Sequence, residues 1–446
     1  MNTIISRFQI KGLLGEKDVD ITFESPISIL IADNGLGKTT ILGIIYAVLS
    51  GQLHRLRRVE FESILVEFSN GQIIEIHSST VQAPLDLSDS NPAMRRLLRQ
   101  IPEHLIYQLF EETKGLDLMR FRRHPLTNEI MDIAGVPAQY IFNLLFDEQR
   151  KQPDLFGSSR SPQETRKILQ SAFPFSILYF PTYRRIEEDI EHLGFQRIDG
   201  FRSEVLIQFG MTDVNDRLRK ITEQIRSSSV AWYSRINGQM LSQLVDGIQV
   251  DENTRISILN KNALKIVLDR IGENITPDRK DHIMRLVETG EIQNKHYDSL
   301  VYFLSNLVKI YDQQKDLDNS IKEFARVCNK YLVEKEIIYN ESDVEIGILQ
   351  KWNKKPVALA KLSSGEKQII SLFSRLYLEV GKPLALLFDE PELSLSIEWQ
   401  RMLIPDIIES GRCKFLLATT HSPFVFENEF DVNAYDLSRF VNHRQS

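Results

Sequence analysis

Residues 27–49 constrain this chain more than any other stretch. Residues 27–31, Ile-Ser-Ile-Leu-Ile, form a short apolar run of strand type, and residues 39–49 carry apolar side chains at helical spacing. Between them lies Ala32-Asp33-Asn34-Gly35-Leu36-Gly37-Lys38-Thr39. A strand, a glycine turn ending in Lys-Thr and a helix make the phosphate-cradling arrangement GxxxxGK[ST], with Ala32 at the first glycine. Gly35 and Gly37 let backbone N–H groups converge on phosphate oxygens, and the helix N-terminus adds aligned donors. Lys38 is placed to bridge the phosphates of ATP and Thr39 to bind Mg²⁺ through its hydroxyl. Asn34 and Thr40 complete the set of residues expected to touch the nucleotide. The Ala32 methyl group is expected to be tolerated, so binding should be kept.

A second group of phrases lies near the other end. Residues 384–388 are a continuous apolar run bounded by Pro383 and Asp389, and residues 414–418 are another. Such runs suit a buried parallel sheet. The first delivers Asp389 to the Mg²⁺ shell and leaves Glu390 where it can act on the attacking water as general base. Leu362-Ser363-Ser364-Gly365-Glu366-Lys367-Gln368 reads as a small-residue loop opening a helix. Its N–H groups again face an anion, which marks Ser363, Ser364, Gly365 and Glu366 as nucleotide-binding candidates. Thr419-Thr420-His421-Ser422 follows the 414–418 run.

Further strands are expected at 4–10, 19–23 and 177–180. A hairpin over 61–68 and 73–77 turns at Asn70-Gly71. Gly51 is placed to end the helix of residues 39–49. The expected organisation is an N-terminal half-head over 1–80, a mixed helical insertion with a return to the head over 81–200, a helical arm over 201–345, and a C-terminal half-head over 346–446. In the arm, apolar residues recur at three- and four-residue steps: Val214, Leu218, Ile221 and Ile225, then Trp232, Ile236, Met240 and Leu244, and in a second series Leu300, Leu304, Leu307 and Tyr311, then Leu317, Ile321, Phe324, Cys328 and Tyr331. This is the spacing of a coiled-coil seam or a long helical hairpin, and equally of helices packed in a bundle. Gln314 interrupts it, and residues 251–254 are a candidate turn between arms. The expected class is therefore α/β: a P-loop head with a long inserted α-helical, coiled-coil-like arm.

Composition excludes several alternatives. No run of 18 apolar residues occurs, so no membrane-spanning helix is expected. The first residues carry charge where a signal peptide needs an apolar stretch. Two distant cysteines, Cys328 and Cys413, argue against a disulfide framework and fit a reducing cytoplasm. A net charge of −7 weighs against a protein dominated by phosphate-backbone binding. Local arginine clusters at 55–58, 95–99 and 120–123 read as solvated helix faces or as a groove for an acidic ligand.

The order of these phrases resembles that of the ABC ATPase superfamily. Ser363-Ser364-Gly365-Glu366 resembles its signature loop, whose common form is LSGGQ or LSGGE, and His421 resembles the switch histidine that contacts the γ-phosphate. The resemblance implies composite sites: the P-loop of one protomer and residues 363–365 of another sandwich one ATP, and hydrolysis releases them. The long interval between P-loop and signature resembles SMC-like, RecF-like and OLD-like heads, in which a helical arm is inserted. Residues 177–187, 209–214 and 389–400 are similar to phrases of bacterial defence ATPases. The family they most resemble is the AriA ATPases of PARIS anti-phage systems, with the PtuA ATPases of Septu systems as the rival. That likeness implies a homo-oligomeric scaffold holding a separate nuclease, of the AriB-like TOPRIM type or alternatively of the HNH type. It also implies a phage protein that mimics DNA as the trigger. The short stretch after His421 is too small for an OLD-type TOPRIM domain, which fits an effector on another chain. A RecF- or SMC-like ATPase acting on DNA in repair stays open. Ser396 departs from the pattern, since related ATPases often carry histidine there.

Overall fold

In the computed structural model, which describes residues 3–32, 35–81, 97, 100–101, 103–113, 116–146, 162–181, 211–246, 248, 250–379 and 381–444, the apolar runs of both chain ends join one sheet. The strands are β1 (Ile5–Leu13), β2 (Lys17–Thr22), β3 (Ile27–Ile31), β4 (Ser63–Phe68), β5 (Ile73–His77), β6 (Ser176–Phe180), β7 (Lys335–Asn340), β8 (Glu345–Gln350), β9 (Leu384–Asp389), β10 (Cys413–Thr420), β11 (Ala434–Asp436) and β12 (Val441–His443). Five helices carry the argument: α1 (Lys38–Leu49), α2 (Thr212–Asp246), α3 (Asp298–Tyr331), α4 (Ser364–Leu378) and α5 (Ile397–Glu409). The chain divides into two units, Met1–Leu206 with Lys382–Ser446, and Ile207–Gly381. The division falls after Gly381 and not at the expected 345/346, so the signature segment groups with the helices.

The first unit holds two five-stranded sheets. One is parallel in every pairing, in the order β11-β3-β10-β9-β6. All six residues of β9 are buried, as a central parallel strand requires. The other sheet is antiparallel, in the order β12-β2-β1-β4-β5. Its β4–β5 hairpin turns at Asn70-Gly71 as expected, with Gly71 at φ +83°. Ile41, Ile44, Ile45 and Val48 of α1 share one core with Phe8, Ile64, Leu387 and Leu417 from the two sheets. At Gly51, φ is +71° and its N–H donates to Val48 O at 2.9 Å, which ends α1. Helices Glu103–Thr113, Leu118–Arg122, Pro125–Ala134 and Ala138–Phe146 pack around Phe110, Phe121, Phe142 and Phe146.

In the second unit both long helices are present, α2 with 35 residues and α3 with 34. Between them the chain forms helices Glu252–Ser257, Lys261–Arg270 and Pro277–Thr289, so residues 251–254 are no hairpin turn. Asp251 instead caps the first of these, accepting from Thr254 N at 2.8 Å. In the α3 series Leu304, Leu307, Tyr311, Ile321, Phe324, Cys328 and Tyr331 are buried and Leu300 and Leu317 half-buried, against several partners rather than along one seam. Leu304, Leu307 and Val308 meet Leu264, Val267 and Leu286, and the Tyr331 ring lies 5.6 Å from that of Phe373 in α4. Of the two packings compatible with the spacing, the described residues show the bundle.

Gln314, the interruption in the series, is satisfied. Its Nε2 donates to Ile225 O at 3.1 Å and to Ser228 Oγ at 2.7 Å on α2, and its Oε1 accepts from Arg270 at 2.8 Å. Arg270 also grips Asp318 with contacts of 2.9 and 2.8 Å, and Tyr339 of β7 donates to Asp318. The arginine and aspartate side chains are 7% and 0% exposed, so each depends on the other for its charge. The β7–β8 hairpin straddles the expected 345/346 boundary, with β7 inside the segment expected to be helical. Its four-residue connection, 341–344, contains no glycine, and Val344 itself takes φ +52°.

Asp318→Ala should destabilise the protein by about 3–5 kcal/mol, because it leaves a buried guanidinium unpaired. Asp216→Ala, which removes an ion pair with both side chains more than 60% exposed, should change stability by less than about 0.5 kcal/mol. Urea unfolding of the two variants checks the contrast.

Candidate nucleotide site

Strand register builds the site. In β10, Thr420 pairs with Ile31 of β3 and Thr419 with Asp389 of β9. The segments that follow β3, β9 and β10 therefore leave the sheet at one edge. It is the carboxyl edge, where open α/β sheets bind their ligands.

The first segment is the glycine turn. Gly35 and Gly37 take φ +90° and +88°, a backbone region costly for other residues. A Cβ at either position would meet nothing within 4 Å, so backbone conformation rather than crowding requires glycine there. Gly37 is the N-cap of α1; no side chain caps the helix, and its first turn holds no acidic residue. Those N–H donors suit an anion. Asn34, expected to touch nucleotide, lies outside the described residues. Thr40 is half-buried in the first turn of α1.

Lys38 is only 6% exposed. Its Nζ donates to Ala32 O at 3.0 Å, contacts His421 Nε2, and lies 3.7 Å from Glu390 Oε1. Burial pulls the ammonium below its usual range, while the charges of Glu390, Asp389 and Glu392 act in the opposite direction. A phosphate at this point would add the negative charge that burial makes favourable. The Ala32 methyl is buried at 3% exposure, and its N–H donates to Thr420 O at 3.3 Å, so alanine fits this backbone.

Asp389 is 1% exposed. Its Oδ2 accepts from Thr39 Oγ1 and its Oδ1 from Thr419 Oγ1, each at 2.7 Å. A hydroxyl and a carboxylate already in contact are the hard oxygen donors that Mg²⁺ takes from a protein, with water and phosphate supplying the rest. Thr39 and Asp389 thus fit the metal expected of them.

Glu390 stands at φ +51°, held by its N–H donating to Thr419 O at 2.8 Å. Its Oε1 is 3.4 Å from His421 Nε2. Lys38 thus meets Glu390 and His421, from the other end of the chain, in one cluster. Sequence reading missed two residues that hold it together. Thr419 fixes Asp389, and Glu392 accepts from His421 N at 2.9 Å. Both lie within the phrases already singled out, and their polarity at a strand end was the available signal. Ser396, the departure from the histidine pattern, is the N-cap of α5 and accepts from Trp399 N at 3.3 Å.

Residues 363–366, the segment that resembles a signature loop, belong to the second unit. Ser363 is the N-cap of α4, Ser364 and Gly365 open the helix, and Glu366 closes a capping box with Ser363. Ser363 and Ser364 are exposed, while Gly365 and Glu366 are buried. Of the arginine clusters, Arg120, Arg122 and Arg123 are exposed, while two arginines of the first cluster turn inward. Arg55 stacks 5.3 Å from the Tyr46 ring centroid, and Arg57 donates to Val81 O at 2.8 Å. The cluster at 95–99 lies outside the described residues.

A phosphate turn at the carboxyl edge of a parallel sheet, with a magnesium-type acid beside it, defines a P-loop ATPase head of α/β class. The chain belongs to a family of such ATPases: the family described as "AAA domain, putative AbiEii toxin, Type IV TA system" matches residues 27–427. Among solved structures it is similar to the Smc head domain with an extended coiled coil, bound to the C-terminal domain of ScpA, from Pyrococcus furiosus. That likeness has 13% identity and a TM-score of 0.39, covering 95% of this chain and 91% of the other. It is also similar to an Smc head bound to the winged-helix domain of ScpA, with 13% identity, a TM-score of 0.32, and coverage of 95% and 90%. No curated protein matches it. Among the described residues no helix is long and apolar enough to cross a membrane.

The left-handed backbone at Glu390 generates a stability prediction. Glu390→Gly should unfold at a higher temperature than Glu390→Ala, by the equivalent of about 1 kcal/mol, because glycine takes φ +51° without the Cβ penalty. Scanning calorimetry of the two variants checks this.

Proposed function

We propose that this chain is an ATP-hydrolysing, ABC-type scaffold of an anti-phage defence system. The observation that carries the reading is the meeting of Lys38, Glu390 and His421 beside the Thr39–Asp389 pair. In this reading Lys38 and the 35–40 backbone hold the triphosphate. Glu390 takes the proton of the attacking water, His421 contacts the γ-phosphate, and Thr39 and Asp389 hold Mg²⁺, which neutralises charge on the phosphates. Residues 363–366 of a second copy complete each site, so ATP joins copies and hydrolysis parts them.

The defence role rests on two supports. The family description names a toxin and a toxin–antitoxin system, and residues 177–187, 209–214 and 389–400 resemble AriA of PARIS systems. The scaffold then holds a separate nuclease, TOPRIM-type as in PARIS or HNH-type as in Septu, and releases it when a phage protein that mimics DNA is sensed. Work in the cytoplasm follows from that role. The alternative is a RecF- or SMC-like ATPase that acts on DNA. A net charge of −7 and the inward engagement of Arg55 and Arg57 favour the first.

Lys38→Ala should weaken ATP binding at least about a hundredfold, the equivalent of ~3 kcal/mol of charge-assisted contacts. Glu390→Gln should keep ATP binding and lower turnover by about 10²–10⁴, the usual worth of a general base. Titration calorimetry and phosphate release measure the two; normal turnover by Glu390→Gln would refute its role. A tagged Glu390→Gln chain, drawn with ATP from cells expressing its neighbouring genes and weighed by native mass spectrometry, tests the partner. A homo-oligomer carrying a nuclease supports the scaffold, and a nuclease-free dimer retaining DNA supports the alternative.

A further inference from the structure

Glu366 poses an electrostatic problem. It sits in the first turn of α4, in the segment proposed above to meet the triphosphate held by a second copy. Its Oε2 accepts from Ser363 N at 2.7 Å, and its own N–H donates to Ser363 Oγ at 3.3 Å. This reciprocal box orders the turn. An uncompensated carboxylate there would repel phosphate.

The carboxylate has a partner from another element. Lys335, the first residue of β7, donates from Nζ to Oε1 at 2.8 Å and to Oε2 at 2.9 Å. The two side chains are 20% and 10% exposed, so solvent screens them only in part. Burial alone would raise the Glu366 carboxyl; Lys335 and the Ser363 groups outweigh it and hold it below the ordinary carboxylate range. The base of Lys335 is fixed as well. It pairs with Gln350 in the β7–β8 ladder, a few residues beyond Tyr331, whose ring packs on Phe373 of α4. The signature helix and its lysine are therefore built on one packed corner.

We infer that Lys335 is a positioning residue of the 363–366 segment: its ammonium cancels the Glu366 charge and keeps the capping box closed, so that exposed Ser363 and Ser364 can meet the phosphates of ATP bound by a second copy. The inference rests on the composite-site reading above. It assigns Lys335 to assembly and turnover, and not to nucleotide capture by its own P-loop.

The test follows ATP turnover by the full chain as protein concentration is raised. Lys335→Met should lower turnover about tenfold and shift its half-maximum to higher protein concentration, because charge repulsion then opposes association. ATP affinity measured at dilute protein should stay within about twofold. Lys335→Arg should retain most turnover, since the charge is kept. Adding Glu366→Gln to Lys335→Met should recover most of the loss, because no charge is left uncompensated. A purely structural lysine predicts no such recovery. Native turnover by Lys335→Met, or a double variant no better than the single one, overturns the inference. Mixing Lys38→Ala with Gly365→Asp copies separates it from the reading beneath. If the mixture stays inactive, composite sites fail and the inference with them. If the mixture regains turnover while Lys335→Met behaves as the native chain, only the role of Lys335 fails.

Discussion

Parallel pairing of β10 between β3 and β9 is the constraint on which the site depends. Its register sets Thr420 opposite Ile31 and Thr419 opposite Asp389, so three loops from opposite ends of the chain leave the sheet together. A one-residue slip in that ladder would carry Asp389 away from Thr419 and point its side chain to the other face. The Thr419–Asp389–Thr39 hydrogen bonds fasten the register from the side-chain direction. Site geometry and sheet geometry are in this sense one structure. The left-handed backbone at Glu390 is the strain that such an over-determined frame can hold.

Charge is arranged by the same economy in both units. Lys38 is a buried ammonium with carboxylates around it and space at the glycine turn for an anion. Lys335 and Glu366 form a neutral pair beside a helix N-terminus. Arg270 and Asp318 form another, sealed in the bundle. The first stands beside a helix N-terminus that no side chain caps, which suits a position that is to meet a ligand. The other two are closed by partners from the protein itself, which suits positions that must stay ordered.

Much of this was legible in the chain. Strands β3, β6, β9 and β10 could be read because continuous apolar runs bounded by proline, glycine or acid have few other uses. The long helices could be read from three- and four-residue spacing. The β7–β8 hairpin could not, because its connection lacks glycine and Val344 takes the left-handed conformation instead. The partners of the apolar series on α3 were also hidden. Periodicity says which face of a helix is buried and is silent about what buries it.

The division between sequence and structure is sharpest at the nucleotide site. The sequence by itself determined the chemical groups: Gly35, Gly37, Lys38, Thr39, Asp389, Glu390 and His421, each in a local context of strand end or helix start. Those contexts depend on neighbours within a few residues, so they are written locally. Only the tertiary structure decided that Thr419 fastens Asp389, that Glu392 holds the His421 backbone, and that Lys335 neutralises Glu366. These are contacts between elements, set by register and packing. No local pattern records them, because hydrogen bonding and charge compensation depend on distance in space rather than on separation along the chain.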